Sequence, residues 1–576
     1  VECYRQVIDL KADFSVGHLN LAIALQDLGK SCEAEASCRQ AIALNTNFVE
    51  AHFNLGIALK ALGKLEASES SYRKALELNP RFVKAYNNLG GILNSAGKLK
   101  AAAYSYNQAL LLRPDYAEAH LNLGHCLMKM KKPYEALISY GHAYDLQPEM
   151  DYLFGSILFA KLKICDWDKL TENIEELVKR ISNGKRASVP FPLHSLIESP
   201  EVIQKGTEIF ANHKFPISTI LPTITSYQNH RRIRVGYFSP DFRNHPVTKI
   251  SADLFTNHNR SQFEIHAFSF SPYNSDEWTE KIKTGVDFFH DVRAMSNKEI
   301  TILSRSLELD IAVDLTGFTS DNRTEIFAMS AAPVQIGYLG FLGTMGANYY
   351  DYLIADKIMI PKNNRNYFTE SIAYLPSYQV NSSCSYSSNV AINRKHLGLP
   401  EGVFIFCCLN STYKISPNTL DVWARILKRT GDSVLLLYAD NDSAIKNLNT
   451  QISLRGIDPK RLIFGERLTG SEYWSRYRVV DLCLDTFPYN GGVISSDALR
   501  MACPLLTCMG NSFSSRLGSS LLSALNLPEL ITTSQEQYEL LAIDLVNDSK
   551  KLKDLKEKLN SSINSAPLYD TQQFTN

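Results

Sequence analysis

Through the first 150 residues the apolar positions recur in step. Leu21, Leu55, Leu89 and Leu123 stand 34 residues apart, Asn20, Asn54, Asn88 and Asn122 precede them, and Gly29, Gly63 and Gly97 keep the same interval. Pro80, Pro114 and Pro148 close successive units. One unit reads AHFNLGIALKALGKLEASESSYRKALELNP. It holds two amphipathic patterns of helical period, broken at glycine and stopped at proline, which predicts two helices per unit. Units start near Phe14, Phe48, Phe82 and Tyr116, and residues 1–11 read as the second helix of a truncated earlier unit, as in a fragment. After Arg231 the pattern changes to short β-branched and aromatic runs between longer helical segments. Strands are predicted at 233–239, 263–270, 311–315, 334–339 and 352–355. A second series is predicted at 403–409, 433–438, 462–464, 479–484, 505–508 and 529–531. Strands alternating with helices predict parallel sheets, here two of them, split near 370–390 by the Ser-rich stretch SYQVNSSCSYSSN.

A helix–turn–helix unit repeating every 34 residues is the tetratricopeptide signature. Such units stack into an α-solenoid whose concave groove takes extended peptides or partner proteins. Asn20, Asn54, Asn88 and Asn122 are read as a ladder lining that groove and holding an acceptor's backbone; the alternative is that they serve only local helix–helix hydrogen bonds. Residues 150–185 stay helical but lose the repeat, as a cap over the last unit does. Residues 183–230, with PFPLHSL, a helix near 199–212 and a Pro/Thr/Ser-rich stretch to Asn229, read as a connector packed on the following domain. The predicted domains are repeats at 1–149, cap and connector at 150–230, and Rossmann-like halves at 231–380 and 381–576.

Within the second half, residues 480–500 (VDLCLDTFPYNGGVISSDALR) join a buried strand, a turn with Pro488, Asn490, Gly491 and Gly492, and a helix expected to start near Ser495. This arrangement aims backbone N–H groups and a positive dipole end at an anion. In open parallel sheets ligands sit beyond the carboxyl ends of the strands. That rule selects SPDFRNHPVTK with His245, the Gly340–Gly346 region, NSTYKISPNTL with Lys414 ahead of an N-cap Ser416 and an N1 Pro417, the 490–497 turn with Asp497, and GNSFSSR with Arg516. One His, one Lys, one Arg and a glycine turn between two such halves suit a nucleotide-sugar transferase.

Bulk properties narrow the field. Lys+Arg and Asp+Glu are each 60, so net charge is near zero, which argues against nucleic-acid or anionic-membrane binding. No apolar run approaches the ~20 residues of a membrane span. The 11 cysteines form no CxxC or Cys/His cluster and read as buried thiols of a reducing compartment, so a cytoplasmic location is expected.

The segments RIRVGYFSPDFRNHPV, DIAVDLTGFTSDNRTEIFAMSAAPVQIGYLGFLGTMGANYYDYLIAD, YKISPNTLDVWARIL and DLCLDTFPYN…SDAL…P…SR resemble the catalytic region of the O-linked N-acetylglucosaminyltransferase family, which includes SPINDLY-type members. The resemblance covers about 230–575 and implies a GT-B fold of two Rossmann-like domains and an inverting transfer that needs no metal and no cofactor. It further implies a nucleotide-sugar donor, UDP-N-acetylglucosamine first, and Ser or Thr of protein or peptide acceptors. By motif, His245 takes the place of the active-site histidine and Lys414 that of the lysine reaching the diphosphate. Asp497 takes that of the carboxylate holding the ribose, with Asn490, Gly491, Gly492 and Arg516 on the donor side. One departure stands out. Gly492, Val493 and Ile494 replace the family's usual His-Thr-Thr, so backbone groups must replace three side-chain donors. The departure keeps two alternatives open: another donor, such as GDP-fucose or a UDP-hexose, or a repeat scaffold with a degenerate transferase half.

Overall fold

The computed structural model describes the chain except residues 225, 226, 228, 229, 273, 383–391 and 564. Most of the predicted Ser-rich split, from 383 onward, therefore lies outside the described residues. The chain divides into two compact units, one Val1–Leu153 with Ala294–Ser296 and the other holding the remaining residues.

Over residues 1–153 the first unit is built of helices. A lone helix Glu2–Leu10 precedes four pairs: Ser15–Asp27 with Ser31–Leu44, Val49–Ala61 with Leu65–Leu78, Val83–Ser95 with Leu99–Leu112, and Ala117–Lys129 with Pro133–Leu146. The recurring glycines have a conformational reason. Each sits one residue past the C-cap of the first helix of a pair, with φ of 71° at Gly29, 74° at Gly63 and 71° at Gly97. Left-handed backbone is cheap for glycine and costly for other residues. The fourth pair makes the same turn with Lys131 at φ 60°. Tyr72, Leu89, Ile92, Leu93, Tyr106 and Leu123 form the buried core of the middle pairs.

The helices Leu153–Lys163, Leu170–Ser182, Pro190–Leu196 and Pro200–Lys214 lead into the two parallel sheets of the second unit, which begins at Phe154. The segment expected to cap the repeats groups with this unit from Phe154 onward. The carbonyls of Lys163 and Ile164 accept hydrogen bonds from Thr412, Asn441 and Asn447 of the second half, which ties the segment there.

The first sheet contains β1 (Ile233–Ser239), β2 (Phe263–Ser269), β3 (Phe288–Asp291), β4 (Ile311–Asp314), β5 (Val334–Gly337), β6 (Tyr352–Ala355) and β7 (Ser371–Tyr374), ordered β3-β2-β1-β4-β5-β6-β7. The second contains β8 (Ile405–Cys408), β9 (Val434–Leu437), β10 (Leu462–Phe464), β11 (Leu482–Leu484), β12 (Leu505–Cys508) and β13 (Ile531–Thr532), ordered β10-β9-β8-β11-β12-β13. β8, β9, β11 and β12 are buried along their length, as unbroken apolar runs between helical layers must be. β3 and β7 had no counterpart in the sequence reading. Both are four-residue edge strands with no fully buried position, so they lack the apolar run that marks a central strand. Strand order reverses between β1 and β4 and between β8 and β11. Those two switch points open the crevices where ligands bind in doubly wound sheets.

Candidate functional site

The loops leaving the second sheet's switch point build one compact constellation. After β8, a 3-10 turn over Thr412–Lys414 leads to Ser416, whose hydroxyl accepts from the Thr419 N–H at 3.0 Å and caps the helix Pro417–Arg429. The turn places Lys414 Nζ 2.7 Å from the Asn490 carbonyl, to which it donates, and 3.8 Å from the centre of the Tyr489 ring. Both contacts suit a cation.

Asp485, the first residue past β11, anchors the opposite side. Its Oδ1 accepts from the Gly491 N–H at 2.7 Å and the Thr486 N–H at 2.9 Å, and its Oδ2 accepts from the Thr507 hydroxyl at 2.8 Å. Burial pulls the Lys414 ammonium below the ordinary lysine range, opposed by the charge of Asp485. Burial likewise pushes Asp485 up, opposed by the Gly491 and Thr507 hydrogen bonds and by Lys414. The two form one electrostatic pair. Gly491 is packed closely, because a Cβ there would fall 2.2 Å from Ser495 Oγ and 2.9 Å from Asn410 Oδ1 and would push both side chains aside. Asn490 spends its side chain on the fold: its Nδ2 donates to the Thr486 carbonyl at 2.8 Å, and its Oδ1 accepts from the Gly518 N–H at 3.4 Å.

The helix after the turn runs Val493–Arg500, two residues earlier than expected, with Gly492 as N-cap. Its first-turn N–H groups have no helical acceptor. The side chains of Val493 and Ile494 pack against the cores of the first and second halves respectively. Asp497 is buried one turn in, and its Oδ2 accepts from the Tyr473 hydroxyl at 2.8 Å. Arg516 donates to the carbonyls of Ile358 and Gly510, so it bridges the two halves through backbone acceptors.

The first half contributes His245, the N-cap of the helix Pro246–Asn257. Its Nδ1 lies 3.4 Å from Asp241 Oδ2 and 3.4 Å from the Val247 N–H. Burial, with Arg243 and Lys249 adding, holds the imidazole down at about 4, and burial raises Asp241 to about 6. The helix that His245 caps packs against Val493–Arg500, and its Lys249 Nζ stands 5.6 Å over the Trp474 ring. His245, Lys414 and the glycine turn thus belong to loops at the carboxyl ends of adjoining sheets.

The repeat asparagines do not share one pattern. Asn54 Nδ2 donates to the Glu50 carbonyl of its own helix at 2.8 Å, Asn88 Nδ2 to the Tyr72 hydroxyl at 3.5 Å, and Asn122 Nδ2 to Asn87 Oδ1 at 3.0 Å. All four, Asn20 included, are half-buried. Sequence reasoning passed over Asp485, Asp241 and Tyr489. The signal for Asp485 was present, since it is the carboxylate that ends the apolar run 479–484. Among the described residues no group of three or more His, Cys, Asp or Glu is placed to hold a metal ion, and no helix is long and apolar enough to cross a membrane.

Comparison with known proteins follows the same division. Tetratricopeptide profiles match residues 49–82, 71–103, 90–131 and 117–150. A probable UDP-N-acetylglucosamine–peptide N-acetylglucosaminyltransferase SEC of Arabidopsis thaliana is 30% identical over 433 residues, covering 71% of this chain and 44% of that protein. The UDP-N-acetylglucosamine–peptide N-acetylglucosaminyltransferase of Caenorhabditis elegans is 25% identical over 540 residues, covering 71% and 47%. The chain spans less than half the length of these relatives. A solved mutant of the Thermobaculum terrenum O-GlcNAc transferase superposes with a TM-score of 0.68 at 26% identity, covering 92% of this chain and 95% of that one. The profile of glycosyl transferase family 41 matches residues 164–382 and 379–576, and the chain belongs to that family.

Proposed function

We propose that the chain is an inverting, metal-independent protein O-glycosyltransferase. It moves N-acetylglucosamine from UDP-N-acetylglucosamine to Ser or Thr of protein acceptors taken up by the repeat groove. The observation that carries the reading is the placing of Lys414 on the Asn490 carbonyl and the Tyr489 face, beside a glycine turn anchored by Asp485 at the switch point of the second sheet. A departing diphosphate needs a fixed positive charge and preorganised donors, and Lys414 with the first-turn N–H groups of Val493–Arg500 supplies both. Family membership and the names of the relatives support the donor and acceptor classes.

In the proposed reaction His245 Nε2 takes the proton of the acceptor hydroxyl. The oxygen bonds to the anomeric carbon as the bond from that carbon to the diphosphate oxygen breaks, and UDP leaves with the electron pair. In the competent tautomer Nδ1 carries the ring proton and turns it to ionised Asp241 Oδ2, giving up the bond that it accepts at rest from the Val247 N–H, and Asp241 then stabilises the imidazolium that forms.

Inward-packed Val493 and Ile494 favour a second reading, a different donor, because the turn then grips the diphosphate largely through its backbone. A thermal-shift panel of UDP-N-acetylglucosamine, a UDP-hexose and GDP-fucose separates the readings. Stabilisation by UDP-N-acetylglucosamine above the others is expected. A larger shift with another sugar nucleotide moves the donor assignment, and no shift with any favours a degenerate transferase half.

The pH dependence of kcat is expected to show an acid limb near pH 6. As pH falls through about 6, Asp241 takes a proton while His245, held at about 4, is still neutral, so the base loses its ionised partner first. Asp241→Asn is expected to lower kcat at all pH values and to move the limb toward pH 4. A limb unchanged in that variant assigns it to another group.

A further inference from the structure

His194 is the one buried imidazole of the described residues whose two ring nitrogens both lack a hydrogen-bond partner. It lies on the helix Pro190–Leu196 of the connector and is only 1% exposed. Buried polar groups are nearly always paired, and one left unpaired weakens a fold unless it serves something else. The surroundings of His194 are those of the proposed transfer site. Its ring centre lies 5.1 Å from that of Phe341 in the first half and 6.1 Å from that of Tyr489 in the second. Tyr489 carries Lys414 on its face. On the same short helix, Phe191 packs at 5.8 Å against Tyr413 and at 6.3 Å against Tyr489, so the helix touches the neighbour of Lys414 in the chain and its neighbour in space.

The glycine loop after β5 leaves room for the ring. A Cβ on Gly343 would fall 2.9 Å from His194 Cε1 and 3.1 Å from Nε2. That loop is itself fixed, because Glu370 accepts from the Thr344 hydroxyl at 2.7 Å and from the Met345 N–H at 2.5 Å. Burial, with Lys414 adding, holds His194 neutral. A neutral imidazole has one donor and one acceptor to give, and a group shielded from water gives them at greater strength.

We propose that His194 is a donor-binding residue whose ring N–H bonds an oxygen of the diphosphate–sugar link held beside Lys414, which makes the connector helix a third wall of the site. The inference rests on the transferase reading above and extends it to a residue outside both Rossmann-like halves.

The test is isothermal titration of the whole chain with UDP-N-acetylglucosamine and with UDP, alongside thermal unfolding. His194→Phe keeps an aromatic ring and removes both unpaired nitrogens. It is expected to unfold at the same or a higher temperature than the parent and to bind the sugar nucleotide at least fivefold more weakly. His194→Asn is expected to retain part of the affinity, and Gly343→Ala, which displaces the ring, to lose as much as His194→Phe. Unchanged affinity in His194→Phe, at whatever unfolding temperature, makes His194 a core residue and overturns the proposal. Should that variant not fold, unchanged affinity in both His194→Asn and Gly343→Ala overturns it equally. If the parent binds no nucleotide at all, the transferase reading fails and takes this inference with it.

Discussion

Replacing Lys414 by alanine is expected to lower kcat/KM for sugar transfer at least ~100-fold, as removal of a preorganised group that stabilises developing charge commonly does. The leaving diphosphate accumulates negative charge as the anomeric bond breaks, and Lys414 is the cation placed at the glycine turn. Its setting makes it stronger than a surface lysine, because burial thins the screening water. Lys414→Arg is not expected to rescue. The longer guanidinium spreads its charge over three nitrogens and does not put a compact charge where the ammonium stands, 2.7 Å from the Asn490 carbonyl. Release of UDP with donor and peptide acceptor, measured together with the unfolding temperature, checks the prediction. Undiminished turnover in a folded Lys414→Ala variant removes the lysine from the mechanism. Burial also has a consequence for pH. Because the ammonium titrates below the ordinary lysine range, donor binding is expected to fade on the alkaline side earlier than a free lysine would allow.

Much of this architecture was legible in the chain, and the reason is locality. A period of 34 residues, a glycine at each left-handed turn and unbroken apolar runs for central strands are all written within a few residues of where they act. Lys414 was legible for the same reason, since Ser416 and Pro417 mark a helix start just past a strand. What stayed hidden depends on distant partners. Arg516 meets Ile358, 158 positions away, and no pattern around Arg516 announces a carbonyl acceptor. The asparagine ladder illustrates the same limit. Identical spacing set the four side chains at equivalent positions, yet Asn54 bonds its own helix while Asn122 reaches Asn87, because the neighbours across each helix pair differ. His194 lay within PFPLHSL, a stretch readable only as a connector, and its meaning comes from Phe341 and Tyr489, which lie far along the chain.

Asp485→Ala is expected to be the most destabilising single change near the site, costing about 3–5 kcal/mol, because it strips several buried donors of their acceptor and leaves the buried Lys414 without its opposing charge. Four donors lose an acceptor at once: the Gly491 N–H, the Thr486 N–H, the Thr507 hydroxyl and, at 3.5 Å, the Asn410 amide. Lys414 keeps its burial and loses its nearest negative charge. Asp485→Asn separates these effects. The amide keeps the shape and one acceptor oxygen but turns an NH2 toward a donor, so about 1–3 kcal/mol is expected. Urea unfolding of the two variants and the parent gives both values, and a loss below about 1 kcal/mol in Asp485→Ala would show that the turn stands without its carboxylate. The asparagine variant carries a second readout. Asp485 raises the Lys414 pKa while burial lowers it. With the carboxylate neutralised, burial loses its main opponent, so the alkaline loss of donor binding is expected to move to still lower pH. A limb that stays in place would mean that Lys414 and Asp485 share the turn without sharing charge.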